Sequence, residues 1–228
     1  MPLNKAKGNM FGFITHTWNA IRGLCWHDCI YCYMDPANNP NNDGSELHLE
    51  EKELSLGHGS GRFIFVGSST DMFADVVPSK WIVRVLDHCN KFSNYYLFQT
   101  KNPERFLEFI DHPVILSKSV LSTTLETNRW YPKIMNNAPQ PYDRANAMAA
   151  VAAHGVHTMV TVEPAMAFDH DELVAMIRAC KPMQVNIGCN TIRSIQLPEP
   201  TLAEVQALIT DLNTFTRVHI KPNASVLK

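Results

Sequence analysis

Apolar, β-branched and aromatic residues gather in six short runs, 11–15, 62–67, 95–100, 120–125, 158–162 and 183–188, each bounded by polar or turn-forming residues. Runs of that length and content read as strands. Between them the apolar positions take a helical period. After Ser79, residues Ile82, Val85, Leu86 and Cys89 share one helical face. Pro103 suits a helix start ahead of Phe106, Leu107 and Ile110. Asp169 with Glu172, ahead of Leu173, Met176, Ile177 and Cys180, has the spacing of a capping pair, and so has Thr201 with Glu204, ahead of Val205, Leu208, Ile209 and Leu212. The alanine-rich stretch 144–154 is a further helix, with Gly155 placed to cap it.

Strand followed by helix, six times over, implies parallel α/β units. Strands that are apolar without alternation are buried on both faces. Six units in 228 residues fall short of the eight-fold barrel, which takes about 250 residues. A doubly wound open sheet and a partial (β/α)6 TIM-like barrel remain, either one a single domain over residues 1–228 with no repeat or linker to divide it. Both place function at the carboxyl ends of the strands. Those ends are polar here: Gly67-Ser68-Ser69-Thr70-Asp71, Thr100-Lys101-Asn102, Thr123-Thr124-Leu125-Glu126-Thr127-Asn128, Val162-Glu163-Pro164 and Asn186-Ile187-Gly188-Cys189-Asn190. One polar strand exit is ordinary loop chemistry. Five on one rim mark a pocket.

Charge and composition remove several classes. Hydrophobic residues make up 45% and charged ones 18% of the chain, as in ordinary soluble domains. A formal net charge of −2 supplies no field for a sequence-blind coat on nucleic acid. Residues 1–10 are polar and carry Lys5 and Lys7, unlike a secretory signal, and no apolar run approaches the ~18 residues of a membrane span. The expectation is a cytoplasmic protein whose six cysteines are thiols. A domain of this size buries roughly 70–75% of its unfolded surface and needs no metal to hold a core, which leaves the cysteines for chemistry.

Three of them stand in Cys25-Trp26-His27-Asp28-Cys29-Ile30-Tyr31-Cys32, spaced C-x3-C-x2-C between the first two strands. Thiolates suit zinc or iron–sulfur clusters. With His27 they would make a Cys3His zinc site and the chain a non-catalytic, zinc-stapled module binding nucleic acid or protein. A [4Fe–4S] cluster normally takes four thiolates, and three leave one iron open to a substrate or cofactor. A third reading keeps the cysteines incidental and gives the rim carboxylates acid–base work in an ordinary α/β enzyme.

With Tyr31 as the aromatic, C-x3-C-x-aromatic-C resembles the signature of radical S-adenosylmethionine enzymes, which are built on a partial six-unit barrel. Thr17-Trp18-Asn19, Phe65-Val66-Gly67-Ser68 with Asp71, Thr100-Lys101-Asn102-Pro103-Glu104-Arg105 and Val162-Glu163-Pro164 resemble, in that order, a phage- and bacteria-associated branch of unassigned function akin to spore photoproduct lyase. The resemblance covers roughly residues 11–190. It implies that Cys25, Cys29 and Cys32 each bind one iron of a [4Fe–4S] cluster. The open iron would hold S-adenosyl-L-methionine, whose cleavage yields a 5′-deoxyadenosyl radical that abstracts hydrogen from the substrate. Tyr31 would lie near the adenine. Gly67, Ser68, Ser69 and Asp71 stand where the family's glycine-rich motif meets the amino group, with Asp71 replacing the usual glutamate. Lys101 would pair with the carboxylate, and Thr124, Glu126 or Asn128 with the ribose. Glu163 would serve cofactor or substrate. A reductase such as flavodoxin or ferredoxin would supply the electron, in the cytosol of a bacterium or phage-infected host.

The substrate is less clearly written. Residues 128–133, Asn128-Arg129-Trp130-Tyr131-Pro132-Lys133, mix cations with aromatics as base-stacking surfaces do, although Trp130 and Tyr131 equally suit the packing of a long loop. Arg144 and Arg193 are further candidate charges. Kinship with a lyase acting on thymine lesions suggests a nucleobase, nucleotide or DNA, with isomerase, lyase or modification chemistry. Near-neutral charge favours a single base or nucleotide over long duplex contact. Cys189, at the last strand exit, is either a hydrogen-atom donor to a substrate radical or a small buried hydrophobe; Cys89 and Cys180 fall on apolar helical faces.

Overall fold

The computed structural model describes residues 3–39, 44–192 and 194–227. The candidate cation Arg193 lies outside the described residues. The strands are β1 (Asn4–Lys5), β2 (His16–Trp18), β3 (Ile21–Arg22), β4 (His48–Leu49), β5 (Phe63–Val66), β6 (Tyr95–Thr100), β7 (Ser119–Thr124), β8 (His157–Val162), β9 (Gln184–Ile187) and β10 (Arg217–Ile220). The helices are α1 (Ser79–Asn90), α2 (Glu104–Leu107), α3 (Pro113–Lys118), α4 (Pro132–Met135), α5 (Pro141–Ala153), α6 (His170–Ala179) and α7 (Leu202–Leu212). Among the described residues no helix is long and apolar enough to cross a membrane.

Eight strands form one sheet in the order β1-β2-β5-β6-β7-β8-β9-β10. Only β1 runs antiparallel, against β2; every other pair is parallel. The parallel strands follow chain order without reversal. A doubly wound sheet reverses at a switch point, so that alternative is excluded and the partial barrel stands. The barrel carries one parallel strand more than the sequence announces, β10, whose Arg217-Val218-His219-Ile220 is exposed or half-buried.

Alternate residues of the parallel strands face two cores, as the period of two requires. Ile64 and Val66 join Phe98, Leu121, Val160 and Val185 in the main core under the helices. Phe65 points the other way, into a smaller cluster with Leu97, Met159, Phe11 and Ile14. Residues 11–15, expected as a strand, are not one. Ile14 N–H donates to the Phe11 carbonyl at 2.9 Å in a turn, and the two side chains plug this inner cluster. Their apolar content serves packing, and pairing begins only at His16.

Of the two capping pairs that the sequence offers, one forms. Thr201 and Glu204 make the reciprocal capping box at α7. Asp169 stands at the N-cap of α6 but makes no side-chain cap bond, because its carboxylate is taken by Arg129 at 2.6 and 2.9 Å.

Candidate active site

A cavity of about 890 Å³ opens at the carboxyl ends of the parallel strands. Its wall includes Cys25, Cys29, Cys32, Tyr31, Gly67, Ser68, Ser69, Asp71, Lys101, Thr124, Glu163 and Cys189. Two residues expected on that wall, Glu126 and Asn128, are not part of it.

The cysteine loop hangs from the β3–β4 ribbon. Gly23 is needed at its root, since a Cβ there would lie 2.3 Å from the Glu46 carbonyl, and its φ is +103°. The loop is then seated on the β7–α5 connection. Ile30 N–H donates to the Ile134 carbonyl and Asn137 N–H to the His27 carbonyl, both at 3.1 Å, while Asn137 Nδ2 reaches the Trp26 carbonyl at 2.9 Å. Cys29 and Tyr31 pack with Met135, Ala138 and Met166, and Trp130 and Tyr131 flank that cluster. Within residues 128–133, the half-buried Trp130 and Tyr131 brace the cysteine loop, and Arg129 pairs with Asp169. All three cysteines are free thiols. Burial, and then the charge of Asp71, push Cys25 up to about 12; burial also raises Cys29.

Asp71 is a junction. Its Oδ2 accepts from His27 Nε2 at 2.9 Å, Thr100 Oγ1 at 2.9 Å and Lys101 N–H at 2.8 Å; Oδ1 accepts from Phe73 N–H at 3.0 Å. Burial favours its neutral form, yet His27 and these donors outweigh it and hold the carboxyl below its usual value. With four protein donors, Asp71 meets a ligand ammonium only by giving one up. Asn19, from the Thr17-Trp18-Asn19 run, shapes the adjoining turn, accepting from Ser68 Oγ and Ser69 N–H at 3.2 Å each.

Glu126 departs most from expectation. It is fully buried behind Tyr31, whose hydroxyl donates to Oε1. Arg144, also fully buried and therefore no surface cation, donates from Nη1 to Oε2 at 2.8 Å and to the Thr124 carbonyl at 2.6 Å. Lys101 Nζ stands 3.5 Å from Oε1 and 5.2 Å from the centroid of the Tyr31 ring. Burial opposes ionisation of Glu126, but Arg144 and Lys101 overcome it and its pKa is lowered. Asn128 lies on the exterior, bonded to Asp169 and Glu172.

Across the cavity, Glu163 ties three distant segments together. Lys221 Nζ pairs with Oε2, while Asn9 and Asn223 donate to Oε1 at 2.9 and 2.7 Å. Gly188 admits this carboxylate, since a Cβ would sit 2.4 Å from Oε1. Lys221, Asn9 and Phe11 on this wall escaped the sequence reading. The β10 signal would have placed Lys221 at a strand exit; nothing in the sequence marks Asn9. Cys189 lines the same cavity and its carbonyl accepts from Asn223 Nδ2 at 2.8 Å.

Ligands of one tetrahedral ion must converge on a point, and among the described residues no three His, Cys, Asp or Glu side chains do so. His27 is turned to Asp71. Thiolates suit the irons of a cluster, and Cys25, Cys29 and Cys32 open on the same cavity wall.

No protein-family model and no curated protein matches the chain. Solved structures do. A spore photoproduct lyase mutant with dinucleoside spore photoproduct superposes with a TM-score of 0.66 at 11% identity, covering 93% of this chain and 78% of that one. Streptococcus suis SuiB bound to S-adenosylmethionine gives 0.55 at 9% identity, over 90% of this chain and 49% of SuiB. The same protein with its precursor peptide SuiA gives 0.58 at 9% identity, over 89% and 48%. The fold of this chain is that of the radical S-adenosylmethionine enzymes.

Proposed function

We propose that the chain, as one domain over residues 1–228, is a radical S-adenosylmethionine enzyme. The observation that carries the reading is that three thiols from one eight-residue stretch open on a single cavity at the carboxyl mouth of a partial β/α barrel. Cys25, Cys29 and Cys32 would hold a [4Fe–4S] cluster, with one iron left for the amino and carboxylate groups of S-adenosylmethionine. Bound there, cluster and cofactor would supply one-electron cleavage to a 5′-deoxyadenosyl radical that takes hydrogen from a substrate.

The residues supply placement. Tyr31 presents a ring whose hydroxyl is anchored on Glu126, and this ring would lie near the adenine. The Gly67–Ser69 turn, shaped by Asn19, offers backbone and hydroxyl groups to the ammonium; Asp71 holds that turn to the cysteine loop. Lys101 is the partner for the carboxylate and Thr124 for the ribose. Apolar Met10, Phe11 and Phe65 on the wall keep water from the reacting centre. Cys189 faces the same space as a hydrogen donor to a substrate radical. The substrate would be a nucleobase or nucleoside, since the exposed Asp28 and Glu46 at the mouth disfavour a long polyanion. A flavodoxin or ferredoxin would deliver the electron.

The test is anaerobic reconstitution of the whole chain followed by reduction in the presence of S-adenosylmethionine. About four irons per chain and release of 5′-deoxyadenosine, both lost in Cys29→Ala, are expected. One zinc per chain, or unchanged metal content in Cys29→Ala, refutes the reading.

A further inference from the structure

We propose that Lys101, held in place by the buried Glu126 beneath it, is the charge that sets the reduction potential of the cysteine-bound cluster before any cofactor arrives. This rests on the function proposed above.

The geometry is specific to the cysteine side of the cavity. Lys101 projects from the exit of β6, is mostly buried, and lies against the ring of Tyr31, which stands between Cys29 and Cys32 in the loop. Among the described residues its ammonium has no contact closer than its 3.5 Å approach to Glu126 Oε1. Glu126 is in turn claimed by Arg144 and by the Tyr31 hydroxyl, so its charge is largely spent and Lys101 is left with an uncompensated field toward the thiols.

The other charges around the cavity are accounted for differently. Asp71 is shared among four donors. Glu163 and Lys221 neutralise each other on the far wall. Lys7, Asp28 and Glu46 are exposed and therefore screened, and Arg144 is paired with Glu126.

Reduction adds one negative charge to a cluster, and a nearby cation stabilises that product more than the oxidised form. At an effective dielectric near 20, a unit charge within about 10 Å changes an equilibrium constant at least tenfold. Net charge around a cluster is one of the recognised determinants of its potential.

The experiment is a redox titration of the reconstituted, cofactor-free protein followed by its electron paramagnetic resonance signal. Lys101→Met keeps the apolar stem and removes the charge. It is expected to lower the reduced-to-oxidised ratio about tenfold at fixed solution potential, a shift of about 59 mV to the negative. Lys101→Arg restores the charge and is expected to stay within about threefold of the unaltered chain. Glu126→Gln should move the potential in the opposite, positive sense. An unchanged cofactor-free potential in Lys101→Met, with only weaker S-adenosylmethionine binding, overturns the proposal and leaves Lys101 as a carboxylate partner alone. Should Lys101→Met fail to hold a cluster, Lys101→Arg and Glu126→Gln decide: a potential that falls in Glu126→Gln refutes the electrostatic account. Failure of the unaltered chain to take up iron and sulfide would instead overturn the function on which the proposal rests.

Discussion

His27 Nε2 lies 2.9 Å from Asp71 Oδ2, and through that contact the cysteine loop is fastened to the turn after β5 and the exit of β6. The loop has little secondary structure of its own. Its position is set by this bond on one side and by the residue 134–137 backbone on the other. Asp71→Asn keeps the shape but turns one acceptor into a donor facing N–H and O–H groups. Hydrogen bonds to a charged group are worth about 1.5–3 kcal/mol each, so a loss of at least about 2 kcal/mol is expected from urea midpoints. Amide exchange in residues 24–33 should accelerate more than in α1, and equal acceleration in both would refute the local role.

A second expectation concerns acid. His58 is buried between Trp18, His88 and Phe92, with ring centroids 4.3, 4.8 and 4.8 Å away. Neither of its ring nitrogens has a partner among the described residues. Burial, and then His88, lower its pKa to about 3; burial lowers that of His88 as well. The unfolded chain takes up a proton near pH 6.5 that the folded chain refuses, so stability falls as pH drops below about 6.5, by up to about 1.4 kcal/mol per pH unit for each such proton. The depressed carboxyls of Asp71 and Glu126 add a loss of the same sign below about pH 4. His58→Phe removes the titrating ring while retaining the stack, and its urea midpoint should change less between pH 7 and pH 5 than that of the unaltered chain.

The contrast between two helix starts gives a third. Thr201→Ala breaks the capping box of α7 and should cost about 1 kcal/mol. Asp169→Ala removes no cap bond from α6; it breaks the exposed pair with Arg129 and the exposed bond from Asn128, and such surface contacts contribute little. Thermal midpoints of the two variants check this, with Thr201→Ala the lower.

These cases show where sequence carries information about this fold. Strands β5 to β9 are legible because they are largely buried and rich in β-branched and apolar residues. Thr201 and Glu204 are legible because both halves of the device lie within one turn. Asp169 has the same local spacing, yet Arg129, forty residues earlier, captures its carboxylate. Glu126 reads as a rim residue from its strand exit, and nothing nearby reveals that Arg144 reaches it from α5. The plug formed by Phe11 and Ile14 resembles a strand because burial asks for the same side chains whether a segment pairs or packs. The cysteine spacing, a local feature, was readable; the lysines and asparagines that furnish the opposite wall come from the two ends of the chain.

That opposite wall supports the last prediction. Gly188 lies beside Glu163 so closely that an added Cβ would stand 2.4 Å from Oε1 and 2.8 Å from Cγ. A glutamate tip is usually free to move aside, but here Lys221, Asn9 and Asn223 hold it. Gly188→Ala must therefore either strain the β9 exit or expel the carboxylate and strand a buried ammonium, and overpacking of this kind costs about 1–3 kcal/mol. In a Glu163→Ala background the clash is gone and the same substitution should be close to neutral. A double-mutant cycle on denaturation free energies measures the difference. Additive costs would mean that Gly188 and Glu163 are not in contact and that the far wall is built otherwise.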